Sequence, residues 1–202
     1  MSLSPTRTAV RLAAALLALA PTAALAHTGA GATTGFFHGF EHPITGLDHV
    51  LAMVAVGIFA WQLGGRARWL VPATFVVVMA LGGALGIAGV AVPFVELGIG
   101  LSVVALGAAV AFDVKAPVAA AMAVVGLFAI FHGHAHGAEM PEDAAGYAYG
   151  LGFMVGTALL HLAGLGVGFA IGWAAEARGR FAVQAVGGAI CLAGIAIVTG
   201  VL

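Results

Sequence analysis

Charge is what this chain has least of. Seven basic and eight acidic side chains serve 202 residues, 7% of the sequence, where a soluble domain carries about 25%. A water-solvated surface cannot be built from so few. The formal net charge is −1 and no basic stripe occurs, which excludes a nucleic-acid partner. The single cysteine, Cys191, excludes an internal disulfide framework and a thiolate cluster. No Walker-type glycine loop is present, so the chain encodes no nucleotide-driven step. Serine is nearly lacking too: beyond the first 26 residues only Ser102 remains.

What fills the chain is apolar. Hydrophobic residues make up 62% and the mean hydropathy is +1.13. The expected class is an all-α, polytopic transmembrane helix bundle in a lipid bilayer. Helices are the only open-ended elements whose backbone is satisfied in hydrocarbon. Residues 1–26 are set apart: Arg7 and Arg11 form a basic start, "LAAALLALA" an apolar middle, and "ALA" at 24–26 a small-x-small cleavage site. This is the pattern of a cleaved secretory signal peptide, the alternative being an uncleaved first span. Residues 27–202 then form one transmembrane domain, and cleavage makes His27 the first residue. Six further apolar segments follow, at about 45–63, 69–89, 92–112, 117–136, 146–174 and 181–201.

The five basic residues after the signal segment, Arg66, Arg68, Lys115, Arg178 and Arg180, fall in the connections after the first, third and fifth segments. The positive-inside rule makes those connections cytoplasmic and the mature N-terminus external. A signal peptide requires the same orientation, that of a multi-pass protein of the bacterial inner membrane with its N-terminus in the periplasm. His27, His38, His42 and His49 then gather at the outer side of the first span. His132, His134 and His136 gather at the outer end of the fourth, with Glu139, Glu142 and Asp143 just beyond. His161 lies near the middle of the fifth. Glycines spaced by four, such as Gly82/Gly86 and Gly152/Gly156, let helices approach closely and build a compact bundle; association into a homo-oligomer is a separate expectation.

Two stretches carry chemistry. In "HPITGLDHVLAM", residues 42–53, Pro43 disfavours helix at His42, and Thr45 with Asp48 resembles a capping box. The first span is thus expected to begin near Thr45, with Asp48 and His49 in its first turn and His42 held before it. In "FHGHAHGAE", residues 131–139, helical rotation puts His136 about 40° from His132 and Glu139 about 20° to the other side. His134 points about 200° away, outside that set. Pooled, the stretches offer imidazoles from His42, His49, His132 and His136 and carboxylates from Asp48 and Glu139. Nitrogen with oxygen ligands suits divalent nickel, cobalt, zinc or copper. Ionisable groups in spans are expensive and usually functional. Metal affinity is expected to fall as pH drops through about 6.5, since protonated imidazole cannot coordinate. His161 suits either an inward relay or a hydrogen bond between helices, and Asp113 beside Lys115 an ion pair at the inner end.

The pairing of His42-x5-Asp48-His49 with Phe131–Glu139 resembles the HupE/UreJ family of hydrogenase- and urease-associated membrane proteins, regarded as nickel or cobalt permeases. The likeness spans essentially the whole chain, and the paired motifs are specific. It implies that His42, Asp48, His49, His132, His136 and Glu139 handle the ion, with Phe131, Gly133 and Gly137 as their frame. His27, His38, His134 and His161 are secondary candidates. On this reading the protein is a secondary transporter moving Ni2+ or Co2+ from periplasm to cytoplasm, with no permanently bound cofactor and no enzymatic step. Two other readings stand beside it. One is a membrane metal-binding chaperone for hydrogenase or urease maturation. The other is an intramembrane zinc-dependent hydrolase, which Ser102 serves poorly because it is expected to lie away from both motifs.

Overall fold

The computed structural model describes residues 35–140, 144–174 and 179–202. The signal peptide expected over 1–26, together with His27, Glu142, Asp143 and Arg178, lies outside the described residues. Seven helices are present among them: α1 (Phe36–Thr45), α2 (Leu47–Leu63), α3 (Ala67–Ile87), α4 (Val95–Ala111), α5 (Val118–Ala138), α6 (Ala144–Ala174) and α7 (Gly179–Val198). No strand occurs among the described residues. Side chains such as Trp69, Phe112, Leu127, Phe181 and Leu192 face outward, as befits a chain whose surroundings are lipid. By length and composition α3, α5, α6 and α7 can each cross a bilayer, and α1 with α2, bent by 83° at their junction, makes a fifth. The expected count of about six is thus four to five by this measure. The difference is α4, which has 17 residues. The segment expected over 92–112 loses its ends to two left-handed residues, Phe94 (φ 58°) and Asp113 (φ 49°).

The entry to the first span differs from its expectation. Helix α1 runs through His42 and Pro43 to Thr45, and the break falls at Gly46 (φ −81°, ψ 118°). Proline within a helix forfeits one bond to the carbonyl four residues back. So near the end of a ten-residue helix that loss does not propagate. The capping box does not form: no side chain caps α2. The Thr45 hydroxyl instead donates back to the His42 carbonyl oxygen at 2.9 Å. Asp48 turns to its neighbour, its Oδ1 accepting from the His49 backbone N–H at 2.8 Å. His42 consequently rides on a helix of its own, angled across the start of α2.

Glycine sets the spacing of the bundle. A Cβ on Gly133 or Gly137 of α5 would land in the backbone of Met79 or Gly83 on α3, and one on Gly86 in that of His134 and Ala138. The two helices mesh main chain to main chain, and Gly133 and Gly137 belong to the histidine-rich stretch itself. Gly39 of α1 and Gly152 of α6 pair the same way, against Tyr149 and Phe36.

At the opposite end from the histidines, basic side chains of α3, α7 and the link after α4 converge. Arg68, Asp113, Lys115 and Arg180 line one pocket. Asp113 pairs with Lys115 Nζ at 2.7 Å and Arg180 Nη2 at 3.1 Å, the expected Asp113–Lys115 contact extended by a second cation. Lys115 also donates to the Gln62 carbonyl oxygen at 3.2 Å, while Gln62 Nε2 donates to the Val110 carbonyl oxygen at 3.0 Å. These bonds tie α2, α4 and α7 together at that end.

Candidate functional site

His49 enters from the first turn of α2 and is 4% exposed. Its Nδ1–H faces the Asp48 carboxylate at 3.0 Å, which orients the ring and turns Nε2 toward α5. There it meets two imidazoles one helical turn apart: His132 Nδ1 at 3.2 Å and His136 Nε2 at 2.7 Å. The i, i+4 spacing on α5 stacks those rings on one face, so one nitrogen of α2 reaches both. His42 joins from α1, its ring edge-on to His136 with centroids 4.6 Å apart. Four imidazoles from three helices, with one carboxylate, thus share a small region at one end of the bundle.

Aromatic rings enclose it. Phe153 of α6 lies against His136, His49 and His42, with centroids 4.5, 5.9 and 6.0 Å away. Tyr149, one turn earlier, lies 5.9 Å from His42 and 6.1 Å from His38. His38 is therefore an exposed flanking group on α1, 6.5 Å from His42. A cavity of about 150 Å³ between α3, α5 and α6 reaches His136 and is lined by Met79, Met140, Met154, Tyr149 and Phe153.

His134 and His161 separate from this group. His134 donates through Nε2 to the Val90 carbonyl oxygen at 2.7 Å, on the far side of α5 from the cluster. Glu139 is the exposed C-cap residue of α5, three residues beyond His136. His161 of α6 is fully buried, and neither ring nitrogen has a hydrogen-bond partner, so the expected bond between helices is not made. It packs edge-on to Phe75 of α3 at 5.1 Å, and Phe75 also contacts His132 at 5.5 Å. A phenyl ring thus separates the cluster from the one imidazole deeper in the bundle.

Ser102 corrects the expectation most directly. It does not lie away from the motifs: its Oγ is 2.8 Å from His132 Nε2, and it is fully buried. The preceding turn of α4 faces the same stretch, Gly98 giving room to the Phe131 ring. Only tertiary packing joins residues 30 positions apart, though a lone serine in an apolar span is itself a signal.

Among the described residues no three His, Cys, Asp or Glu side chains are disposed to hold an ion as they stand. The histidine nitrogens meet one another rather than a common point. Their separations are nonetheless of ligand size: two nitrogens on one ion at about 2.0–2.1 Å lie about 2.9 Å apart at a right angle and about 3.4 Å apart at the tetrahedral angle.

Comparison with known proteins gives a family model described as "HupE / UreJ protein", matching residues 14–197. The protein named "Protein HupE" from Rhizobium leguminosarum bv. viciae is 48% identical over 192 residues, covering 94% of this chain and 98% of that protein. No solved structure matches the chain.

Proposed function

Because the chain belongs to the HupE/UreJ family, associated with hydrogenase and urease nickel accessory or transport roles, we propose that it is a permease for a divalent transition metal, nickel or cobalt. The observation that carries this reading is His49 Nε2, within 3.2 Å of both His132 and His136. His42, His49, His132 and His136 supply nitrogen, and Asp48 and Glu139 supply charge. Such a donor set without thiolate binds a borderline cation firmly and still releases it.

The protein is a multi-pass membrane protein, and in our reading it crosses the bacterial inner membrane six times, α4 being the sixth crossing at a length of about 17 residues, the short end of the range. The basic connections then face the cytoplasm, the histidine cluster faces the periplasm, and His38 and His134 flank the port. An ion arriving outside sheds water onto the imidazoles and continues inward past Phe75 toward His161. Purified protein in vesicles containing a fluorescent nickel or cobalt reporter tests the proposal. Ion entry is expected without any partner; if ions bind but never cross, the chaperone reading replaces the permease.

His161 gives a second expected result. Its two buried, unpaired ring nitrogens cost about 1–3 kcal/mol of folding free energy. Replacement by leucine therefore raises the melting temperature in detergent while lowering uptake. A His161→Leu protein that is more stable and transports normally ends the relay role.

Ser102 beside His132 renews interest in the hydrolase reading, but a nucleophile must give its proton to a base. The Ser102 hydroxyl lies 2.6 Å from the Ile99 carbonyl oxygen and spends its proton there. The arrangement favours transport over hydrolysis.

A further inference from the structure

The hydrogen inventory around Ser102 reaches beyond the residues of the two motifs. A hydroxyl has one proton and two lone pairs. At 2.6 Å from the Ile99 carbonyl oxygen, a group that only accepts, the Ser102 proton must lie between those two oxygens, since bare oxygens repel at that distance. Ser102 Oγ can then only accept from His132 Nε2, 2.8 Å away. That nitrogen therefore carries the ring proton, and the lone pair of His132 sits on Nδ1.

The rest of the cluster follows. Asp48 Oδ1 accepts from His49 Nδ1–H at 3.0 Å, so the His49 lone pair is on Nε2. In the neutral rings, His132 Nδ1 and His49 Nε2, 3.2 Å apart, are thus both without a proton. His136 Nε2, 2.7 Å from the same His49 atom, can donate to it, which leaves His136 Nδ1, buried and without a partner, as the bare nitrogen. The two bare nitrogens cannot hydrogen-bond to each other, and their 3.2 Å separation falls between the right-angle and tetrahedral separations of about 2.9 and 3.4 Å for two nitrogens on one ion.

We propose that Ser102 is a positioning residue of the metal port: by accepting from His132 Nε2–H it fixes the ring's tautomer and presents Nδ1, rather than the more usual Nε2, to the ion. Asp48 does the same for His49 from the opposite side. The two outer partners, one a carboxylate on α2 and one a hydroxyl on α4, thereby leave bare nitrogens of two imidazoles 3.2 Å apart. Partners of this kind hold ligand rings elsewhere, and their loss costs about 10–100-fold in metal affinity. This inference rests on the metal-port reading, so its test begins without metal.

Nitrogen-15 NMR of histidine-labelled, metal-free full-length protein reports which ring nitrogen is protonated, the His132 signals being assigned by their loss in His132→Gln. The expected result is a proton on Nε2 in the native chain and a mixture of tautomers in Ser102→Ala. Co2+ titration, followed by the visible ligand-field band, should then show affinity about 10–100-fold weaker in Ser102→Ala and close to native in Ser102→Thr, which keeps the hydroxyl. A native His132 protonated on Nδ1 overturns the proposal and leaves the permease standing. So does an alanine variant with unchanged tautomer and unchanged affinity. If the native protein shows the Nε2 proton yet binds no Co2+, the metal reading fails and takes the ligand role of Nδ1 with it. Should Ser102→Ala not accumulate, the native tautomer with the threonine variant decides.

Discussion

Cells carrying His49→Ala are expected to take up nickel or cobalt no faster than cells without the protein, even after correction for the amount of variant in the membrane. His49 touches three other residues of the cluster: Asp48 through Nδ1, and His132 and His136 through Nε2. Removing it takes away a proposed ligand and also the contact by which α2 reaches the two imidazoles of α5. Loss of a partner outside the ligand set costs about 10–100-fold in affinity, so loss of this hub should cost about 100-fold or more. The change also costs stability, about 1–3 kcal/mol for a buried group left unsatisfied, because Asp48 loses its imidazole partner and His132 and His136 each lose a contact. Accumulated metal per cell, normalised to the amount of protein in the membrane, measures the effect. Uptake within about twofold of the native rate would remove His49 from the port and the port from the mechanism.

Gly133→Ala is expected to do comparable damage for a different reason. Its new methyl group would lie inside the Met79 main chain of α3. A flexible side chain could swing aside, whereas a carbonyl oxygen cannot move without its helix. Overpacking of an ordinary core costs about 1–3 kcal/mol, and a clash against backbone belongs at or above the top of that range. Because His132 precedes Gly133, any separation of α3 from α5 also moves an imidazole of the cluster. The variant should therefore be poorly folded, and the fraction that folds should transport poorly. Gly166→Ala is the control: nothing lies within 4 Å of a Cβ there, and alanine favours helix over glycine by about 0.8–1.0 kcal/mol. Thermal melting and chromatographic homogeneity in detergent compare the two. A Gly133→Ala protein as stable as Gly166→Ala would show that the close contact is not needed.

Much of this is legible in the sequence, and the reason lies in particular residues. The long apolar runs name helices because lipid leaves the backbone little choice. His132 and His136 announce a common face by their spacing. What the linear order could not convey is how helices lie against one another. Ser102 looks isolated at position 102 and becomes a neighbour of His132 only when α4 packs beside α5. The α1 helix was hidden by Pro43, whose local preference argues for extended backbone at His42, whereas the chain turns three residues later at Gly46. The shortness of α4 was hidden as well, because hydropathy does not register the left-handed turns at Phe94 and Asp113 that trim it.

The meshing of α3 with α5 also limits how the molecule can change shape. Carbonyl oxygens seated in the notches left by Gly82, Gly133 and Gly137 act like teeth in a gear, and neither helix can shear along the other without climbing over them. These two must therefore travel as one rod. Whatever cycle of opening and closing the bundle undergoes, its sliding seams lie elsewhere, and the joint between α2 and α5, spanned by imidazoles that a passing cation could unclasp, is the natural place for it to part.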